Sequence, residues 1–131
     1  MIAKGASAGR QIVRAVKERR NFIMLVDQKM NEGISIDFMG RPANTTTSPA
    51  QFAREFGYAL VPARVSRVKG VEFVLKIEEP FFCEKSENKE LDIKLASQKI
   101  NDVISSWINK EPSSWFWMHQ RWGKKHEMNK N

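Results

Sequence analysis

The chain has 131 residues, of which 41% are hydrophobic and 28% are charged. This length supports one modest domain rather than two, and the composition is that of a globular chain, which excludes general disorder. The formal net charge of +7 favours an anionic partner: nucleic acid, anionic lipid or a phosphorylated small molecule. Because the sequence has no RNA-binding signature and no zinc-finger spacing, we do not favour nucleic acid.

Neither a membrane span nor a cysteine framework is predicted. The longest apolar run, Phe22 to Val26, is far shorter than the roughly 20 residues that cross a bilayer. Cys83 is the only cysteine, so it can form no internal disulfide and no cysteine-based metal site. We interpret it as a small, partly buried apolar side chain.

The first predicted elements are a helix over Ser7 to Arg20 and a strand over Phe22 to Val26. A continuous apolar run of this length is typical of a strand buried on both faces, as in a parallel sheet covered by helices. The polar loop from Asp27 to Gly33 then follows the strand at its C-terminal end. Open α/β sheets bind their ligands at that edge, so the loop is a candidate functional segment.

The next segments predict a half-buried strand and a short helix. Apolar and polar residues alternate from Ile34 to Phe38, and Gly40-Arg41-Pro42 ends that pattern. Ser48 can cap a helix that continues to Phe56, and Gly57 is placed to end it.

The second half of the chain predicts a hairpin and a long helix. Two strands, Ala59 to Val68 and Val71 to Glu78, flank the short connection Lys69-Gly70. Apolar residues then recur at helical spacing over Lys94 to Lys110, and Pro112 ends the helix.

Together these elements predict an α/β fold, a mixed sheet flanked by helices. A strand buried on both faces needs neighbours on both sides, yet the other three predicted strands all follow Phe22 to Val26. The predicted sheet therefore lacks its first half, and we expect an incomplete domain.

Five segments, in order, resemble those of the lipid A lauroyl and myristoyl acyltransferases. They are Leu25 to Gly33 with its Asp-Gln pair, Phe38 to Ala43 (Phe-Phe-Gly-Arg-Pro-Ala in the family, with Met39 for the second Phe), Thr45 to Thr47 before a helix, Leu60 to Val65 with its Val-Pro pair, and Trp115 to Trp122 (Trp-x-Trp-x-His-x-Arg-Trp). Each segment is weak evidence alone, but five in the family's order and spacing cover nearly the whole chain.

The resemblance implies a glycerolipid-acyltransferase-like domain that moves an acyl chain from an acyl carrier protein or coenzyme A thioester to a hydroxyl, with no other cofactor and no metal. In the family a His-x4-Asp/Glu motif supplies the general base and the carboxylate that orients it. Here Lys124 stands five residues after His119, and Asn131 stands five after His126. We therefore assign no catalytic residue and expect a truncated or split-gene remnant that is inactive alone.

The resemblance also implies a set of substrate-binding residues: Asp27, Gln28, Asn31, Gly40, Arg41 and Arg64. The acceptor carries phosphates, which arginine can bind with two parallel hydrogen bonds. The alternatives remain open, because Asp27 can simply end a strand, Gln28 and Asn31 can be ordinary polar residues of a loop, and the arginines can be solvated charges. We interpret His119, which lies among aromatic residues, as structural.

By resemblance, residues 1–123 are the C-terminal part of an acyltransferase domain and residues 124–131 are a polar tail. The expected partners are a lipid A precursor, acyl carrier protein and a chain carrying the N-terminal half, with peripheral contact at the cytoplasmic face of the bacterial inner membrane. Two alternatives are a binding module for anionic lipid or acidic acyl carrier protein, and one chain of a split two-chain enzyme.

Overall fold

A computed structural model describes residues 14–122. The backbone is helical at 14–17, so the predicted first helix is described only in its last part, and its residues 7–13 and the polar tail lie outside the described residues. The remaining elements are β1 (Ile34–Phe38), β2 (Arg41–Thr45), α1 (Ser48–Phe56), β3 (Ala63–Lys69), β4 (Glu72–Ile77) and α2 (Lys89–Lys110).

The apolar run from Phe22 to Val26 is not the buried strand that its composition predicts. It is irregular backbone with no β-pairing to any of residues 14–122. Ile23 and Leu25 are 97% and 86% exposed, whereas Phe22 packs on the ring of Phe52 at 5.1 Å and Val26 packs on the core. Every second side chain thus contacts the protein, and residues 14–122 supply none of the neighbouring strands that burial on both faces requires.

The predicted strand at 34–38 is confirmed, and the Gly40-Arg41-Pro42 segment continues into a strand that the sequence did not predict. Residues 39 and 40 turn the chain with φ of 55° at Met39 and 76° at Gly40. Positive φ values at both central residues are typical of a type I′ turn, whose twist matches that of the two strands it joins. Pro42 pairs with Asp37, next to the pair Phe38–Arg41 that closes the turn. A proline is tolerated there because its nitrogen faces away from the partner strand.

Both helices are confirmed, with shifted starts. Thr47 rather than Ser48 is the N-cap of α1, and Gly57 ends this helix with φ of 72°. The second helix begins at Lys89, five residues before the predicted Lys94, because the Asn88 side chain accepts a hydrogen bond from the Leu91 N–H at 3.0 Å.

The β3–β4 hairpin is confirmed as an antiparallel pair, but β3 begins at Ala63 rather than Ala59, and the connection is Gly70-Val71 rather than Lys69-Gly70. One face meets the end of α2, where the Ser66 hydroxyl donates to Glu111 Oε2 at 3.1 Å. The other face exposes Val65, Leu75 and Ile77, each by about 60% or more.

The helix and strand content fits an α/β chain, but the expected single mixed sheet is not formed among residues 14–122. The described strands make two separate two-stranded antiparallel sheets, β1–β2 and β3–β4. The β1–β2 hairpin packs on α2 through a cluster of buried residues: Phe38, Ala43, Ile104 and Ile108. A second cluster joins α1 to α2 through Ala50, Ile93 and Ala96. None of the described helices has the length and hydrophobicity needed to cross a bilayer.

A buried ion pair also joins α1 to α2. Arg54 Nε donates to Asp92 Oδ2 at 2.8 Å, and both side chains are more than nine-tenths buried. Asp92 also accepts from the backbone N–H and the hydroxyl of Ser86 at 2.9 and 2.7 Å. Hydrogen bonds from the Ser86 side chain and from Arg54 lower the pKa of Asp92 below its ordinary value.

These contacts predict an acid-sensitive junction. Because the pKa of Asp92 is lower in the folded state, its stabilising effect is present above the unfolded pKa of about 3.9 and is lost as the pH falls through the folded value. We expect Asp92→Asn to be less stable than the parent at pH 7 and to lose less stability between pH 7 and pH 3, as measured by urea denaturation. Asp102→Asn, at an exposed site on α2, is the control. Parallel pH profiles for parent and Asp92→Asn would contradict the prediction.

Candidate functional site

The polar loop after the apolar run, residues 27–31, lies against β2. Its Met30 N–H donates to the Asn44 carbonyl at 3.2 Å, and Asn44 Nδ2 donates to the Asn31 carbonyl at 3.4 Å. Gly33 closes the loop, and a Cβ at this position would lie 2.2 Å from the Thr45 carbonyl oxygen. The loop is thus held against β2 by hydrogen bonds to Asn44, and the close approach of Gly33 to Thr45 excludes a side chain at residue 33.

Residues 115–122, here called the C-terminal aromatic segment, cover the β1–β2 hairpin. Trp115 and Trp122 pack on the buried Phe38 ring, with centroids 5.7 and 5.6 Å away. The Trp122 indole N–H donates to the Phe38 carbonyl at 3.2 Å. These two tryptophans extend the core, whereas Phe116 and Trp117 are 65% and 50% exposed.

His119 joins the C-terminal aromatic segment to the loop. The Lys29 N–H donates to His119 Nε2 at 2.8 Å, across 90 positions of sequence. The imidazole nitrogen that could accept a proton from a hydroxyl is therefore occupied by a backbone donor. This geometry supports the structural interpretation of His119, and His126 lies outside the described residues.

Arg121 is fully buried in the same region. Its guanidinium donates to the Asn44 carbonyl and the Thr45 hydroxyl, both at 2.7 Å, and more weakly to Asn101 Oδ1 at 3.5 Å. It also lies 4.6 Å from the centre of the Phe38 ring. Burial lowers the pKa of Arg121, and the negative charge of Asp27 opposes this effect.

The structure brings Asp27, Asn31 and Arg41 to the C-terminal aromatic segment or to the β2 residues that it contacts. Asp27 interacts electrostatically with Arg121, and the Asn31 carbonyl accepts from Asn44. Arg41 is exposed and lies 5.3 Å from the centre of the Trp122 ring.

The other three proposed residues have different surroundings. Gln28 is exposed beside Asp27. Gly40 is in the β1–β2 turn, where its N–H donates to Asp37 Oδ1 at 3.1 Å. Arg64 is on β3, 3.5 Å from Glu111 Oε2 and 5.6 Å from the centre of the Trp107 ring, and its buried Nε has no hydrogen-bond partner among residues 14–122.

The sequence did not predict the buried polar network. Thr45 Oγ1 donates to the Ala43 carbonyl at 3.1 Å and accepts from Asn101 Nδ2 and Arg121 Nη2. The one sequence signal that could have indicated the burial of Asn101 is that this polar residue lies among the apolar positions of α2. Arg121 belonged to a matched motif, but nothing in the pattern predicted its burial.

Cys83 is half-buried, and burial is the main cause of its raised pKa. It packs on the second cluster, as its interpretation as a small apolar side chain predicts. Within residues 14–122, no group of histidine, cysteine, aspartate and glutamate side chains is arranged to hold a metal ion.

The Thr45 hydroxyl should be important for stability, because two buried donors depend on it. We expect Thr45→Val, which keeps the shape of the side chain, to reduce the free energy of unfolding by about 1–3 kcal/mol. Urea denaturation at pH 7 measures this. Ser106→Ala, which removes an exposed hydroxyl bonded to the Val103 carbonyl, should change it by less than about 0.5 kcal/mol. Equal effects at the two positions would show that the network contributes little.

Comparison with known proteins supports the family that the five segments resemble. A search of the curated proteins gives no match. The family model described as bacterial lipid A biosynthesis acyltransferase matches residues 1–124, which include every described element and the C-terminal aromatic segment. The chain belongs to the bacterial lipid A biosynthesis acyltransferase family.

Proposed function

We propose that this chain forms the acceptor-binding part of a lipid A acyltransferase. In that reaction a fatty acyl chain passes from an acyl carrier protein or coenzyme A thioester to a hydroxyl of a lipid A precursor, at the cytoplasmic face of the inner membrane. The observation that carries the proposal is the hydrogen bond between two family segments, from the Lys29 N–H of the 27–31 loop to His119 Nε2 of the C-terminal aromatic segment. The chain would bind and orient the acceptor without supplying the general base.

The two arginines matched to the family are not equivalent. Arg64 already faces Glu111 at 3.5 Å, so its charge is partly neutralised within the protein. Arg41 is exposed and stacks on Trp122, which limits the freedom of its side chain while leaving the guanidinium donors in solvent. A guanidinium held in this way suits a phosphate of the acceptor. We therefore assign phosphate binding to Arg41.

The general base would come from polypeptide outside these 131 residues. No carboxylate stands five residues after either histidine, and His119 Nε2 accepts a hydrogen bond from the Lys29 backbone. A histidine engaged in this way cannot remove a proton from the acceptor hydroxyl unless the loop moves.

Arg41 provides the direct test of acceptor binding. We expect the chain to bind a phosphorylated lipid A precursor in isothermal titration calorimetry, and we expect Arg41→Gln to weaken binding about tenfold by removing a charge-assisted hydrogen bond. Lys94→Gln removes one positive charge from the exposed surface of α2 and is the matched control. Equal weakening by the two substitutions would show that Arg41 contributes only through the net charge of the chain. If the parent chain does not bind the precursor, the proposed function is excluded.

A second test concerns turnover. We expect the purified chain to transfer no acyl group from acyl carrier protein thioester to the precursor, because no base and carboxylate are paired in its sequence. Mass spectrometry of the lipid product measures transfer, with an intact member of the family as the positive control. Turnover above the protein-free background that persists through repeated purification would overturn this part of the proposal.

A further inference from the structure

The orientation of the loop at 27–31 depends mainly on residues that are distant from it in the sequence. Its neighbours in sequence, residues 22–26, form no β-pairing with any of residues 14–122 and leave Ile23 almost fully exposed. Besides the local bond from the Gly33 N–H to the Met30 carbonyl, it is hydrogen-bonded to Asn44 on β2 and to His119 in the C-terminal aromatic segment. The position of the loop therefore depends on these distant contacts.

The chemistry of the His119 contact is specific. A backbone N–H can donate only to an unprotonated ring nitrogen, so Nε2 must carry no hydrogen and the neutral imidazole must carry its proton on Nδ1. His119 is half-buried, which protects the bond from competition by water. The contact fixes one backbone group of the loop immediately after Gln28.

Arg121 holds the segment that presents His119. Its guanidinium is fully buried between the Phe38 ring and the hydroxyl of Thr45, and it donates to the Asn44 carbonyl, which also accepts from the Met30 N–H of the loop. The C-terminal aromatic segment therefore bonds directly to Lys29 and shares the Asn44 carbonyl with Met30, and both residues follow Gln28 in the sequence.

We propose that His119 is a positioning residue, which holds the 27–31 loop in the conformation that presents Gln28 to the acceptor. This inference rests on the proposed function for the identity of the ligand. The position of the loop does not depend on the ligand and can be measured separately. His119 acts through the Lys29 backbone and does not contact the acceptor.

Two substitutions separate the hydrogen bond from the bulk of the ring. Glutamine at position 119 can place its side-chain oxygen near the position of Nε2, whereas phenylalanine keeps the ring and removes the acceptor. Met118→Ala is the control, because Met118 is 85% exposed in the same segment. Amide hydrogen exchange of Lys29 reports the loop, and exchange of the α2 amides reports the remainder of the fold.

We expect protection of the Lys29 amide to fall about fivefold in His119→Phe and to stay within about twofold of the parent in His119→Gln and Met118→Ala. Binding of the phosphorylated lipid A precursor should follow the same order. In the parent chain at pH 8, nitrogen-15 spectra of His119 should show Nδ1 protonated and Nε2 free of hydrogen.

An imidazole protonated on Nε2, or unchanged Lys29 protection in His119→Phe, would overturn the proposal. If His119→Phe loses protection throughout α2, the substitution has unfolded the chain. The tautomer of His119 in the parent chain and the Lys29 protection in His119→Gln then test the proposal. If the parent chain shows the expected tautomer and protection but binds no precursor, the proposed function fails and the positioning role remains. Weakened binding in His119→Phe with no change in Lys29 protection would show that His119 acts on the ligand and not on the loop.

Discussion

A single buried cation, the guanidinium of Arg121, is the constraint on which the candidate site depends. Removing a guanidinium from water is costly unless hydrogen bonds and a favourable ring contact replace its hydration. Arg121 draws these contacts from β1, β2 and α2 together, through Phe38, Thr45 and Asn101. The hairpin, the long helix and the C-terminal aromatic segment must therefore keep one mutual arrangement, and the loop at 27–31 is placed by that arrangement.

The junction between the β1–β2 hairpin and α2 is consequently more polar than an ordinary core. Thr45 and Asn101, which are both within 1% of full burial, accept hydrogen bonds from Arg121. Apolar side chains tolerate small shifts of register, but buried donors and acceptors must meet at defined distances and directions. The hydrogen bonds of Asn101 to the Asp37 carbonyl and to Thr45 thus select one register of the hairpin on the helix. The apolar cluster between α1 and α2 buries hydrophobic surface, but its contacts do not require the defined directions that hydrogen bonds require.

The elements that the sequence predicted well are those whose shape is decided within a few residues. The helix that Gly57 ends, the alternating strand at 34–38 and the β3–β4 hairpin all follow from local patterns. Both failures concern strand pairing, which depends on distant backbone. Residues 22–26 have the composition of a buried strand, but none of residues 14–122 pairs with them. β2 contains a proline and few apolar residues, yet the turn at 39–40 returns it along β1 and makes it a strand.

The loop at 27–31 was predicted as a candidate site for the wrong structural reason. It does not end a strand in a sheet, and it is held by residues that no spacing rule connects to it. Its Asp-Gln pair also divides by exposure, which the residue types alone could not show, because Asp27 is half-buried and Gln28 is exposed. A carboxylate facing a phosphorylated acceptor would repel it. The proposed function therefore assigns contact with the ligand to the exposed Gln28 and Arg41 rather than to Asp27.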